Sequence, residues 1–195
     1  MKFNLSEITE VIKNRRSVYP EAYTSRVVHP EMVEDVLNNA IWAPTHGMVQ
    51  PWRFKVFTGD AVKRAGMELE RVYKSVVPEE KWSQRKLDKL KSRTESISVL
   101  IFICMTPDGN TSIPEIENVS AVACAVQNMY LTCTAYGLGS YWSSPSYVYS
   151  KEMNDFLGLK EGDKCLGMFF MGYPAEEWPK SHRKPLEYVS EWFDK

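Results

Sequence analysis

The run SVLIFICM at residues 98–105 has no charged side chain and is crowded with β-branched and aromatic residues. It falls far short of the roughly twenty apolar residues that a membrane-spanning helix needs. Such a run reads as a strand buried on both faces, so the chain must cover a sheet from two sides. At 195 residues, 44% hydrophobic and 12% aromatic, it is long enough to do this around a core of its own.

The flanking segments supply the cover. Residues 5–14 place Leu5, Ile8, Val11 and Ile12 on one helical face, with Asn4 or Ser6 as the cap. A second helix starts at Pro30 and runs to 42, where Pro44 stops it. Trp52 to Phe57 alternates as a strand, and the charged stretch 60–96, broken by Pro78, reads as two or more surface helices. After a proline–glycine loop, residues 115–136 form a long helix. Its alanines and Ser120 make one face small enough for close contact with a partner. Gly137 and Gly139 end it and lead to a short strand at 140–143. Ser150 caps a helix through Leu157, and 165–172 is another buried strand. The tail from Tyr173 is rich in proline and charge yet carries Trp178, Tyr188, Trp192 and Phe193, which predicts that it docks on something. With no internal repeat and no linker, residues 1–195 read as a single α+β domain with a small central sheet.

Composition removes several function classes. A net charge of -1 gives no electrostatic footprint for nucleic acid. No apolar run approaches a membrane span, and the N-terminus opens straight into a polar, periodic segment, which predicts a cytoplasmic protein without a signal peptide. Cys104, Cys124, Cys133 and Cys165 show no CxxC spacing and the three histidines are scattered. They read as buried free thiols, and no metal is expected.

Three stretches invite a ligand. Arg15, Arg16 and Ser17 follow the first helix; the helix C-terminus favours nearby cations in any case, but two guanidinium forks with a hydroxyl also suit a phosphate. Residues 42–52, WAPTHGMVQPW, set two prolines around Gly47 and bracket the loop with Trp42 and Trp52. A helix stop and a strand start explain the prolines. The polar Gln50 and the two indoles fit a planar heteroaromatic ligand better. GLGSYWSS at 137–144 has glycine spacing, but it follows a helix and precedes a strand, the reverse of a dinucleotide-binding turn. A second basic cluster, SHRKPL at 181–186, lies in the tail.

Taken in order, RRS after the first helix, APxxxxxQPWRF, a long alanine-rich helix ending in GLGSYW, and GYPAEE with RKPLEYV resemble the nitroreductase family of flavin enzymes. The resemblance runs almost the full length, is weakest over 60–96, and is closest to the family's small members. It implies a homodimeric α+β fold, a small central mixed sheet flanked by helices, and FMN at the subunit interface with NADH or NADPH as reductant. By position, Arg15 and Ser17 would hold the FMN phosphate, with Arg183 and Lys184 assisting. Arg16 would stand near the ring as a stabiliser of reduced flavin. Trp42, Pro44, Thr45, His46 and Gln50 would lie against the partner's flavin. Trp142, Ser143 and Ser144 would contact the ring. The implied reaction passes hydride from NAD(P)H through flavin N5 to nitroaromatic, quinone or similar electron-poor acceptors by a ping-pong mechanism, with no catalytic side chain of its own.

Two positions depart from the family pattern. Met48 stands where many members have Asn in the proline loop, and Tyr19 where many have Lys after the RxS motif. Both remove polar contacts to the flavin. Alternatives stay open: a flavin-holding or redox-sensing protein without efficient turnover, a relative performing reductive dehalogenation or flavin breakdown, or an interaction domain without cofactor.

Overall fold

In the computed structural model, which describes residues 2–107, 109 and 113–194, the buried strand lies inside a four-stranded sheet. Part of the proline–glycine loop after it falls outside that range, as do Met1 and Lys195. Strands β1 (Trp52–Thr58), β2 (Val99–Met105), β3 (Gly139–Ser143) and β4 (Lys164–Gly172) stand in the order β1-β2-β4-β3. Every residue of β2 is buried. Val99, Ile101, Ile103 and Met105 face one apolar cluster, while Leu100, Phe102 and Cys104 face the other. That alternation lets one strand serve two cores.

Among the described residues six α-helices provide the cover: α1 (Leu5–Asn14), α2 (Pro30–Ala40), α3 (Asp60–Val76), α4 (Gln84–Ser96), α5 (Glu115–Ala135) and α6 (Lys151–Leu157). Helices α2 and α5 fill the first cluster with Val33, Val36, Val122, Val126 and Met129; α3 and α6 fill the second with Val62, Leu69, Val72 and Met153. Each large side chain fully buried here contributes about 1.5–3 kcal/mol over its exposed state. The charged stretch is therefore more deeply seated than its composition implies. Helix α3 has a narrow but complete apolar stripe.

The expected mixed sheet is corrected: all neighbouring strands are antiparallel. Two helices, α3 and α4, separate β1 from β2, so the chain returns to the end it left and the strands run oppositely. The single helix α5 between β2 and β3 does give two strands of the same direction, but β4 enters between them and pairs antiparallel with both.

Local signals largely hold. Of the two candidate caps, Asn4 closes α1 by accepting from the amides of Ser6 and Glu7, and its own amide donates to Glu7. Ser150 accepts from the amide of Met153 at the start of α6. Gly137, at φ 68°, takes the left-handed turn after α5; its amide bonds the Thr134 carbonyl and the amide of Leu138 bonds that of Cys133, a paired closure of a helix end.

Two further expectations change. Cys104, Cys133 and Cys165 are buried free thiols, but Cys124 is exposed, because it lies on the outer face of α5 one turn from exposed Ser120. Burial pushes the Cys133 thiol up to about 12. The alanine face of α5 is partly used within the chain, with Ala121 and Ala125 in the first cluster. Among the described residues the tail docks only at its start: Ala175 bonds Ala22, the Trp178 indole donates to the Asn14 carbonyl, and Arg16 donates to the Pro179 carbonyl. Beyond that Leu186, Tyr188, Trp192 and Phe193 are exposed, as are Phe3, Leu5, Ile8 and Ile12 around α1. No described helix is long and apolar enough to cross a membrane.

Candidate active site

The expected site residues form two groups on different faces of α5. The first group gathers where α1 ends. Arg15 lies half-buried with its guanidinium 5.1 Å from the ring centre of Tyr130, and no hydrogen bond or ion pair engages that side chain among the described residues. Ser17 is exposed, and its side chain lies near the Tyr130 phenol. The amide of Trp142, on β3, donates to the same phenol oxygen at 2.6 Å. Burial pushes the Tyr130 phenol up, offset in part by Ser17, the Trp142 amide and the Arg15 charge. Tyr130 was not found from sequence. Inside an alanine-rich helix it reads as one more core aromatic, and nothing in its neighbours marks its hydroxyl as the meeting point of three segments.

Arg16 was expected near a ring, but its guanidinium is committed elsewhere. It donates to the carbonyls of Pro179 at 2.7 Å, Lys13 at 2.6 Å and Arg15 at 2.9 Å. It clamps the end of α1 to the start of the tail, using the carbonyls a helix terminus leaves unpaired. That clamp ties the start of the tail to the end of α1; among the described residues Arg183 itself bonds only Ser181 and the His182 carbonyl of its own segment, and Lys184 is exposed.

The second group is the proline loop. Ile41, Trp42, Ala43, Pro44, Thr45, Met48, Gln50 and Trp52 line an open cavity of about 550 Å³. Trp52 is buried, whereas Trp42 is 84% exposed and forms a free aromatic wall. The Thr45 hydroxyl accepts from the amide of Gln50, and Arg53 ties the carbonyls of Gln50 and Trp52 at the exit. The backbone is held against preference: Met48 sits at φ 57° and Gln50 at φ 50°, a region that side chains other than Gly, Asn and Asp seldom adopt. The Asn that Met48 replaces in the family pattern is one of the residues that tolerates it. His46, expected against a ring, has its Nδ1 2.6 Å from Glu117 Oε2 at the start of α5.

Helix α5 separates the groups. His46 meets Glu117, and Asn39 bonds Asn128 and Thr132, so α2 and its loop run along one face. Tyr130 is two residues from Asn128 and points about 200° away from it. Glu117 and Tyr130 are also about 20 Å apart along a helix rising about 1.5 Å per residue. One chain therefore presents two half-sites facing different ways.

The end of β3 carries the remaining candidates. Trp142 and Ser143 are half-buried and Ser144 is exposed. The Trp142 indole nitrogen is buried and lacks a partner among the described residues. Gly167, at φ 142° beside a bulge between β2 and β4, lies under that indole; a Cβ there would come within 2.4 Å of Nε1. Among the described residues no group of His, Cys, Asp and Glu side chains could hold a metal.

This arrangement, a four-stranded antiparallel sheet covered by helices, belongs to a known class of α+β oxidoreductase. The chain is a member of the nitroreductase family, whose pattern matches residues 12–173. It is 27% identical to YdjA of Escherichia coli K12, provisionally named an NAD(P)H nitroreductase, over 85% of this chain and 87% of that one. A nitroreductase-like family protein from Bacillus cereus superposes with a TM-score of 0.85 at 27% identity, covering both chains completely. The FMN-dependent nitroreductase NfnB of Mycobacterium smegmatis, solved with NADPH, shares the fold with a TM-score of 0.77 at 17% identity, covering 97% of this chain and 100% of that one.

Proposed function

We propose that the protein is an FMN-dependent NAD(P)H oxidoreductase that reduces nitroaromatics, quinones or similar electron-poor acceptors in ping-pong turnover, as a homodimer. The observation that carries this reading is Arg15: a half-buried guanidinium, without a carboxylate among the described residues, beside a free hydroxyl and backed by an aromatic ring. A buried or half-buried cation left without a counter-ion is a receptor for an anion. The names of YdjA and NfnB, with NAD(P)H in both and FMN in the second, supply the kind of anion.

In this reading Arg15 and Ser17 hold the phosphate of FMN, and the tail brings Arg183 and Lys184 to the same side. FMN, when bound, supplies the chemistry by accepting hydride at N5 and releasing two electrons to the acceptor. The protein's part is to position and shield. Trp142 packs behind this edge with its indole N–H buried against Gly167, and Ser143 and Ser144 offer hydroxyls at the ring edge. Trp42, Pro44, Thr45 and Gln50 form a shelf that faces away from Arg15, so they would serve the flavin of a second copy. The bare apolar sides of α1 and the tail, exposed from Phe3 to Ile12 and from Leu186 to Phe193, are surfaces such a copy would cover. Met48 puts a thioether where an amide would bond the ring, which favours apolar acceptors over strongly polar ones.

The test is stopped-flow reduction of FMN-loaded protein without oxygen, together with its mass in solution. Bleaching by NADH or NADPH, recovery with a quinone, and a mass of twice 22.5 kDa are expected. Bound flavin that nicotinamide leaves yellow would turn the reading towards a redox sensor. Protein that takes up no FMN would end it.

A further inference from the structure

Cys104 on β2 and Cys165 on β4 stand directly opposite each other in the strand ladder. Both are free thiols, and both belong to the second apolar cluster, so they share one face of the sheet. Side chains directly opposite in an antiparallel pair have Cβ atoms about 4.5–5.5 Å apart, and a disulfide needs about 3.5–4.5 Å. The strands would have to close by about 1 Å. They can give at this point, because Ile103 faces Gly167 while Cys104 faces Cys165, which leaves Leu166 as the extra residue of a bulge. Each thiol donates only along its own strand, Cys104 to the Phe102 carbonyl at 3.8 Å and Cys165 to the Gly167 carbonyl at 3.7 Å. These are weak bonds that a reaction can give up.

Cys165 also lines an open cavity of about 510 Å³, with Glu115, Tyr149, Asn154 and Lys164. A water occupies about 30 Å³, so a small peroxide has room there. Cys104 beside it holds the Cys165 thiol below its ordinary value, burial opposing, and the more acidic thiol is the readier nucleophile.

We propose that Cys104 and Cys165 form a reversible thiol–disulfide couple, oxidised by hydrogen peroxide that enters through this cavity. The Cys165 sulfur attacks one peroxide oxygen; the O–O bond breaks, the thiol proton leaves with the departing oxygen as water, and a sulfenic acid remains. The Cys104 sulfur then attacks the Cys165 sulfur. The S–S bond forms, the S–O bond breaks, and the Cys104 proton leaves with the hydroxyl as a second water. Two thiols lose two electrons, and one peroxide becomes two waters. The strain of closing the strands makes the bond easy to reduce, so a dithiol reverses it.

The experiment treats the folded full chain with hydrogen peroxide, alkylates the remaining thiols in denaturant and maps the peptides by mass. A Cys124→Ser background removes the exposed thiol. Of the remaining three, Cys133 alone is expected to be alkylated, with Cys104 and Cys165 joined in one cross-linked peptide that dithiothreitol releases. Cys104→Ala takes away the second thiol, and Cys165 is then expected to pass to a sulfinic acid that dithiothreitol does not reverse. Full alkylation of both thiols after peroxide, a link to Cys133 instead, or a link that forms only in urea would each overturn the proposal. Should Cys104→Ala not fold, the mapping of the Cys124→Ser chain decides alone. None of these readouts depends on bound flavin.

Discussion

The two half-sites hold their shape by opposite means. Around Tyr130, at the C-terminal half of α5, a relaxed backbone lets side chains meet in the core: a ring fixed by Phe169, an amide from β3, a hydroxyl and a guanidinium from the end of α1. Around Met48, near the N-terminal end, few side chains are buried and the backbone keeps its form through left-handed residues, two prolines and exposed polar ties. On the proposed function, the Arg15 end holds a phosphate and gains from rigidity, because a misplaced donor leaves a charge unpaired. On the same proposed function, a shelf that takes first a nicotinamide and then an acceptor gains from an open wall such as Trp42. The difference separates anchoring from exchange.

Four substitutions bear on that contrast. Arg15→Ala should weaken FMN binding by roughly 10–100-fold, the worth of about 1.5–3 kcal/mol for hydrogen bonds to a charged group. Fluorescence titration measures it, and an affinity equal to that of His46→Ala would break the assignment of the phosphate to this end. Gly167→Ala should lower the melting temperature by about 4–12 °C, since overpacking costs about 1–3 kcal/mol and the left-handed backbone adds to it; the near-ultraviolet spectrum of Trp142 should change with it. Met48→Gly works in the other direction, relieving about 1 kcal/mol of backbone strain and raising the melting temperature by about 2–4 °C. A drop there would mean that the Met48 side chain is worth more than the strain it bears. His46→Ala should move stability by less than about 0.5 kcal/mol, because the pair with Glu117 is exposed on both sides. Urea titration checks that smallest effect.

The elements themselves were legible. Pro30, Asn4, Ser150 and Gly137 act through their own backbone or side chain within a few residues, so their meaning does not depend on the fold. The double-faced burial of β2 followed from its composition for the same reason. Strand direction did not, because it depends on where β4 is inserted, and that is fixed by packing among elements distant in sequence. Arg15, Ser17 and the proline loop were legible as candidates through residue type and order. What distinguishes Arg16 from Arg15 was not legible, because two adjacent arginines look alike until one finds Pro179. Cys124 was misjudged, since a small apolar residue on a helix does not announce which side the sheet will take.

From the sequence alone came the residues with chemistry to offer: guanidinium groups after a helix, indoles around a proline loop, glycines at a helix end. Those depend on covalent structure and on backbone preferences acting within a turn or two. Only the tertiary structure decided which of them meet, because Tyr130, Arg15, Ser17 and Trp142 come together through the packing of α5 on the sheet. The same packing turned the proline loop to another side of that helix, and so divided the site between two faces of one chain.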